Sequence, residues 1–131
     1  MEKFGVEIEL SVNLTAEDID DIMASALEGG ISYWAYKAKV VGEYLGEYAS
    51  EQISRGGSLK IYVIEPFDEE DTEVYELDRE KLVNGFKLWL ENGQDFYGAV
   101  DSRGNVDCGQ IDADCADSIM QYALFGDLVF A

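Results

Sequence analysis

Two strand-like segments that follow one another closely are the sequence feature that most constrains this fold. SLKIYVIE, residues 58–65, and EVYELD, residues 73–78, are rich in apolar and β-branched residues, which favour strands. Only residues 66–72 separate them, so we expect a hairpin with the acidic stretch 66–71 in its loop. The strands of a hairpin run antiparallel, and the sequence therefore predicts a mostly antiparallel sheet.

Three other segments have the pattern of capped, amphipathic helices: residues 15–29, 78–91 and 112–125. Thr15 and Asp78 are expected N-caps, while Gly29 and Gly126 suit the positions at which helices end. The residues expected to face the core are Ile19, Ile22, Met23, Ala26 and Leu27 in the first helix, Leu82, Val83, Phe86, Trp89 and Leu90 in the second, and Cys115, Ala116, Ile119, Met120 and Ala123 in the third.

The remaining segments add further strands. Apolar and polar residues alternate over residues 4–12, which predicts a half-buried strand, and the aromatic and β-branched residues at 33–41 favour another. We expect a short helix at 47–54, a loop at 98–110 and an edge strand at 127–130. Elements in this order lack a βαβ rhythm and indicate an α+β fold. We predict one globular domain, residues 1–131, with a mixed, mostly antiparallel sheet of about four to five strands packed with about three to four helices.

The net charge of the chain limits the kinds of partner that it can bind. The chain of 131 residues is 47% apolar, enough for a core, but 28 acids against nine bases leave a net charge of −19. Phosphate contacts need Lys and Arg, so we expect no direct binding to nucleic acid and none to an anionic membrane. A basic partner would instead be attracted, rapidly and in a salt-dependent way.

The sequence lacks the residues and motifs on which most classes of enzyme depend. The chain has no histidine, and it has no P-loop, dinucleotide-binding glycine motif or nucleophile elbow, so we expect a protein without catalytic activity or cofactor. The stretch DSRGNVDCGQID resembles a calcium loop, but Arg103 occupies a ligand position and Val106 replaces the required glycine, so we expect no metal site. Cys115 is expected to be a buried apolar residue and not half of a redox pair with Cys108. Few cysteines and no apolar leader predict a cytoplasmic protein.

Two acidic clusters are the leading candidates for a partner-binding surface. The first consists of Asp68, Glu69, Glu70, Asp71 and Glu73, and the second of Glu17, Asp18, Asp20 and Asp21. Duplex DNA as long as the expected diameter of the protein, about 36 Å, carries roughly 21 phosphates, about half of them on one face. A net charge of −19 is therefore large enough to imitate one face of a duplex if the acids gather.

Two other functions remain open. Trp34, Tyr36, Lys37 and Lys39 predict an alternative site, at which a small ligand such as a nucleotide signal would stack on aromatic rings. A phage structural or assembly protein is a further alternative, and it would form stable oligomers through an apolar face. The sequence does not identify the oligomeric state or the partner.

The stretches ALEGGISYWAYKAKVVGEYLGEYASEQISRGGSLKIY and ADSIMQYALFGDLVFA resemble small acidic proteins of phages and prophages of Gram-positive bacteria. The shared pattern is an EGGI-YW segment, an SRGG turn before a strand and a terminal AD-I-Q-ALFG helix, together about half of the chain. The resemblance implies an accessory protein of a mobile element in the host cytoplasm. Small acidic proteins of that kind often inhibit anti-phage defences, as anti-CRISPR or anti-restriction proteins do, so it implies a DNA-mimic inhibitor of a basic, nucleic-acid-binding host protein.

Overall fold

A computed structural model of the protein describes residues 12–65, 68–92 and 112–130. In chain order the elements are α1 (Ala16–Ser25), β1 (Ala35–Val40), β2 (Leu59–Glu65), β3 (Asp68–Leu77), α2 (Arg79–Glu91) and α3 (Ala113–Phe125). A π-helical turn, Ala26–Gly30, follows α1, and a 3₁₀ turn, Ala49–Glu51, lies between β1 and β2. The strands form an antiparallel sheet in the order β1-β2-β3, and the expected α+β class is confirmed.

Each of the three helices begins just after a residue that caps it, and Thr15 and Asp78 are the predicted N-caps. Thr15 accepts a hydrogen bond from the Asp18 backbone N–H at 3.1 Å, and the Asp18 carboxylate accepts one from the Thr15 N–H at 2.9 Å, which makes a capping box. Asp78 caps α2 and Asp112 caps α3 by a single bond each, accepted from the Lys81 N–H at 2.8 Å and from the Cys115 N–H at 2.9 Å. Gly126 ends α3 with a φ of 76°, in the left-handed region that favours glycine. Some of the acidic side chains are therefore engaged at helix N-termini, where they interact with backbone N–H groups and with the helix dipole.

The core lies between one face of the sheet and the helices. Alternation along β2 turns Leu59, Ile61 and Val63 inward, where they join apolar residues of α1, α2 and α3 in one buried cluster. Helices α2 and α3 are in close contact at Gly85, where an added Cβ would lie 2.6 Å from the Cβ of Ala123. A hydrogen atom at position 85 therefore sets the spacing of these helices.

Several sequence predictions need correction. The described sheet has three strands, fewer than the four to five expected. The predicted edge strand at 127–130 is wrong, because the backbone N–H groups of Val129 and Phe130 donate to the side chain of Gln121 and not to a strand. The predicted helix at 47–54 is only the 3₁₀ turn Ala49–Glu51, and Val83 is 44% exposed and not part of the core.

The predicted acidic loop is also wrong in its bounds. Strand β3 begins at Asp68, so residues expected in the turn extend the hairpin instead. The register jumps there, because Ile64 pairs with Thr72 whereas Glu65 pairs with Asp68, which leaves residues 69–71 as an irregularity in the strand. The predicted strand at 4–12, apart from Val12, and the predicted loop at 98–110 lie outside the described residues. Within the described ranges, no helix has the length and apolar character needed to cross a membrane.

Candidate functional site

The outer face of the sheet carries positive charge that the sequence did not locate as a group. Along β2, Lys60 and Tyr62 alternate with the buried residues and therefore point away from the core. In the register of β1 and β2, Lys39 lies opposite Lys60, and Lys37 lies opposite Tyr62. Three lysines thus share one face of two adjacent strands.

A bulge in β1 enlarges this face. The register shifts between Ala35 and Lys37, so Tyr36 is an additional residue without its own partner in the ladder. As a result, Tyr36 and Lys37 are both exposed although they are neighbours, while Ala35 remains buried. We call Tyr36, Lys37, Lys39, Lys60 and Tyr62 the lysine–tyrosine face.

The rings and ammonium groups of this face lie close together. The ring centroids of Tyr36 and Tyr62 are 5.9 Å apart at an interplanar angle of 58°, and the Lys37 Nζ lies 5.3 Å from the centroid of the Tyr62 ring. Beside Tyr62 is an open hollow of about 180 Å³. Its lining residues are Lys39, Val40, Val41, Gly42, Lys60 and Tyr62. The hollow therefore has an aromatic wall and two cationic side chains at its border.

The lysines of this face are the least engaged bases in the part of the chain that the structure describes. The other four described bases have acceptors: Arg55 contacts Glu51 at 3.2 Å, Arg79 donates to the Ser54 carbonyl at 3.2 Å, Lys81 donates to the Glu76 carbonyl at 2.6 Å, and Lys87 contacts Glu91 at 3.8 Å. Lys39 and Lys60, by contrast, make no hydrogen bond or ion pair with any described residue. Glu76 stands opposite Lys60 on β3, yet these two described side chains form no ion pair.

Trp34, which the sequence places in the alternative ligand site, is separated from this face. It is 2% exposed, and its ring stacks on Phe130 with centroids 5.5 Å apart. Of the predicted ligand residues, Tyr36, Lys37 and Lys39 are brought together, and Trp34 is held in the core. Replacing Trp34 with alanine would cost about 3–5 kcal/mol of folding free energy, so that variant cannot report on binding alone.

The polar tip of Trp34 joins a buried network around Asp117. The Trp34 Nε1–H donates to Asp117 Oδ1 and the Tyr33 hydroxyl donates to Asp117 Oδ2, both at 2.6 Å. The Gln121 side-chain amide also donates to Asp117 Oδ1, at 3.0 Å, and its Oε1 accepts from the N–H groups of Val129 and Phe130 at 2.8 Å. Partial burial of its hydroxyl, followed by the hydrogen bond to Asp117, raises the pKa of Tyr33 to about 12. Tyr33 and Trp34, which follow α1 in the chain, therefore contact Asp117 and Gln121 of α3 through this network.

The second predicted acidic cluster is only partly available to a partner. Asp18 belongs to the capping box of α1, and Asp20 accepts a hydrogen bond from the Ser54 hydroxyl at 2.5 Å. Glu17 and Asp21 are exposed. They are therefore the members of this cluster that a partner can contact without disturbing the fold.

In the first predicted acidic cluster, Glu73 is exposed and accepts a hydrogen bond from the Tyr75 hydroxyl. The backbone of Asp68, Glu69, Glu70 and Asp71 belongs to β3, and their side chains lie outside the described part of the structure.

Two further observations in the described ranges concern potential metal ligands and the thiol of Cys115. No group of three or more potential ligands that could hold a metal ion occurs within them. Cys115 is a buried free thiol, and burial raises its pKa to about 11, so it is protonated at neutral pH and poorly nucleophilic. Cys108 and the calcium-loop-like stretch before Asp112 lie outside the described residues.

Comparisons of the chain with protein families, with characterised proteins and with solved structures gave no match.

Proposed function

We propose that this protein is a non-enzymatic binding protein whose lysine–tyrosine face captures a small anionic ligand. The observation that carries the proposal is the pair Lys39 and Lys60, which lie opposite each other beside the hollow and form no ion pair with any described residue. Like charges directly opposite on neighbouring strands destabilise a sheet, and two ammonium groups 4 Å apart repel by about 1 kcal/mol even in water. An anion between them would replace this repulsion with two attractions.

The size of the hollow and the net charge both favour a small ligand. Pockets for whole drug-sized ligands usually measure about 300–1,000 Å³, whereas this hollow measures about 180 Å³. It has room for a phosphate or carboxylate group, with the remainder of a ligand lying on the open face. A long polyanion would also extend beyond the three lysines and meet the field of a chain with net charge −19.

Binding can be located by NMR, with inorganic tripolyphosphate as the probe in a low-salt buffer. We expect saturable shifts of the backbone amides of residues 39–42, Lys60 and Tyr62, which line the hollow. The amides of α3 lie on another part of the fold and serve as the internal reference. Shifts that do not saturate, or that spread equally over the α3 amides, would contradict the proposal.

The net charge of −19 favours a second candidate function, in which the acidic surface docks on a basic, nucleic-acid-binding host protein. On this proposal the chain is a DNA-mimic inhibitor of the anti-CRISPR or anti-restriction kind, acting in the bacterial cytoplasm. Exposed Glu17 and Asp21 support it, as does the grouping of three bases on one face, which leaves the rest of the described surface more acidic.

This second candidate is tested by a pull-down from host lysate, eluted with a salt gradient. The double variant Glu17→Lys, Asp21→Lys leaves the capping box and the Asp20–Ser54 hydrogen bond in place, and a second variant reverses residues 68–71 to lysine. We expect a basic nuclease to elute at moderate salt from the wild type and at much lower salt from both variants. Retention of the same protein by both variants would rule out these acidic clusters as its binding surface.

A further inference from the structure

We infer that the ligand of the lysine–tyrosine face is a small nucleotide, with its phosphate between Lys39 and Lys60 and its base against the ring of Tyr36. This inference rests on the proposed function, because it assigns a chemical class to the same site. The proposed function depends on the lysines of this face, whereas this inference also depends on its tyrosines.

The cationic half suits a phosphate. Lys39 and Lys60 are a directly opposed cross-strand pair, so their Cβ atoms are expected about 4.5–5.5 Å apart, a spacing from which two long side chains can contact one phosphate group. Lys37 points to the same side of the sheet two residues before Lys39. It provides a third cation for a di- or triphosphate chain.

The aromatic half suits a base. Tyr36 is 51% exposed, so a large part of its ring is open to a planar ligand. Tyr62 lies next to it, with ring centroids 5.9 Å apart, and also lines the hollow, so the aromatic surface runs continuously to the cationic border. One tyrosine on the outside of a sheet is ordinary, but the bulge in β1 turns Tyr36 and Lys37 to the same side, and bulges are over-represented next to functional sites.

The charge of the whole molecule separates a small nucleotide from a nucleic acid. Proteins that bind single strands combine stacked aromatic rings with a basic groove that follows the backbone over several nucleotides. Here three lysines share one sheet face, in a chain with net charge −19. The face therefore matches the few charges of a mononucleotide better than those of a polymer.

The test compares ATP, tripolyphosphate and a single-stranded oligonucleotide of ten thymidines by isothermal titration calorimetry. Stacking of one base adds roughly 5- to 100-fold in affinity, so we expect ATP to bind more tightly than tripolyphosphate by that factor. In Tyr36→Ala the two affinities should become equal, with that for tripolyphosphate unchanged. Tyr36→Phe keeps the ring and should keep the preference, and Tyr48→Ala, at a tyrosine that is 63% exposed elsewhere, should behave as the wild type.

The possible failures are distinct. Equal affinities of ATP and tripolyphosphate for the wild type would overturn the nucleotide assignment and leave anion binding in place. If neither ATP nor tripolyphosphate bound, the proposed function itself would be overturned. Tighter binding of the oligonucleotide than of ATP would contradict the small-ligand assignment and identify a nucleic acid as the ligand.

Discussion

Replacing Asp117 with alanine should destabilise the protein by about 1.5–4.5 kcal/mol, because it removes the acceptor at the centre of the buried network. The Trp34 indole N–H, within a residue only 2% exposed, would lose its hydrogen-bond partner, and an unsatisfied buried donor costs about 1–3 kcal/mol. The hydrogen bond from Gln121 would add about 0.5–1.5 kcal/mol, since that amide keeps its contact with the Phe130 carbonyl. Tyr33 is 55% exposed, and water can accept from its hydroxyl.

Asp117→Asn should be much milder, with a loss of about 1 kcal/mol, near the net value of one hydrogen bond. The asparagine Oδ1 can still accept from Trp34 and Gln121, and its Nδ2–H can donate to the Tyr33 hydroxyl oxygen. The ratio of the two losses therefore tests hydrogen-bond satisfaction and not merely the presence of a side chain.

Urea denaturation, followed by tryptophan fluorescence and circular dichroism, measures both losses. The matched control is Asp114→Ala, an exposed residue in the first turn of the same helix, which should lose only about 0.3–1 kcal/mol of helix-dipole stabilisation. A free energy of unfolding for Asp117→Ala within about 0.5 kcal/mol of the wild type, the range of ordinary surface substitutions, would refute this reasoning.

Two further predictions concern helix packing and pH. Gly85→Ala should lower the free energy of unfolding by about 1–3 kcal/mol despite the better helix propensity of alanine, because the new Cβ would lie 2.6 Å from that of Ala123. We expect a lower thermal midpoint than in the exposed-site control Asn84→Ala, and equal midpoints would contradict the prediction. The pKa values of Tyr33 and Cys115 are raised in the folded chain from 10.0 to about 12 and from 9.0 to about 11. Both groups therefore contribute stability that is complete below about pH 9 and is lost as the pH rises through 11 and 12. The urea midpoint of unfolding should fall across that pH range. A constant midpoint would refute the assignment.

Local signals explain why the helices were predicted well. Thr15, Asp78 and Asp112 cap the three helices through bonds to residues three positions away, so each signal lies within one turn of sequence. The prediction of the residues on the inward face of α2 is less accurate. Val83 is apolar but points to solvent, while Gly85 is buried and carries no hydrophobic signal.

Non-local contacts explain what the sequence missed. Residues 127–130 have the composition of a strand, but the Gln121 side chain takes their backbone donors, and no local pattern encodes that contact. Tyr36, Lys37 and Lys39 were recognised because they adjoin one another. Their partners Lys60 and Tyr62 come from another strand, and although alternation along β2 could have placed them on the outer face, only the register with β1 brings them to this site.

The binding of tripolyphosphate to two matched double variants is the most direct test of the anion-binding face. Lys39→Gln with Lys60→Gln removes the opposed pair, and Arg55→Gln with Lys87→Gln removes the same charge from elsewhere on the surface. By calorimetry we expect the first variant to lose at least about tenfold in affinity, since hydrogen bonds to charged groups contribute about 1.5–3 kcal/mol each, and the second to remain within about twofold of the wild type. Equal losses in the two variants would mean that only net charge matters, and that the lysine–tyrosine face is not a binding site.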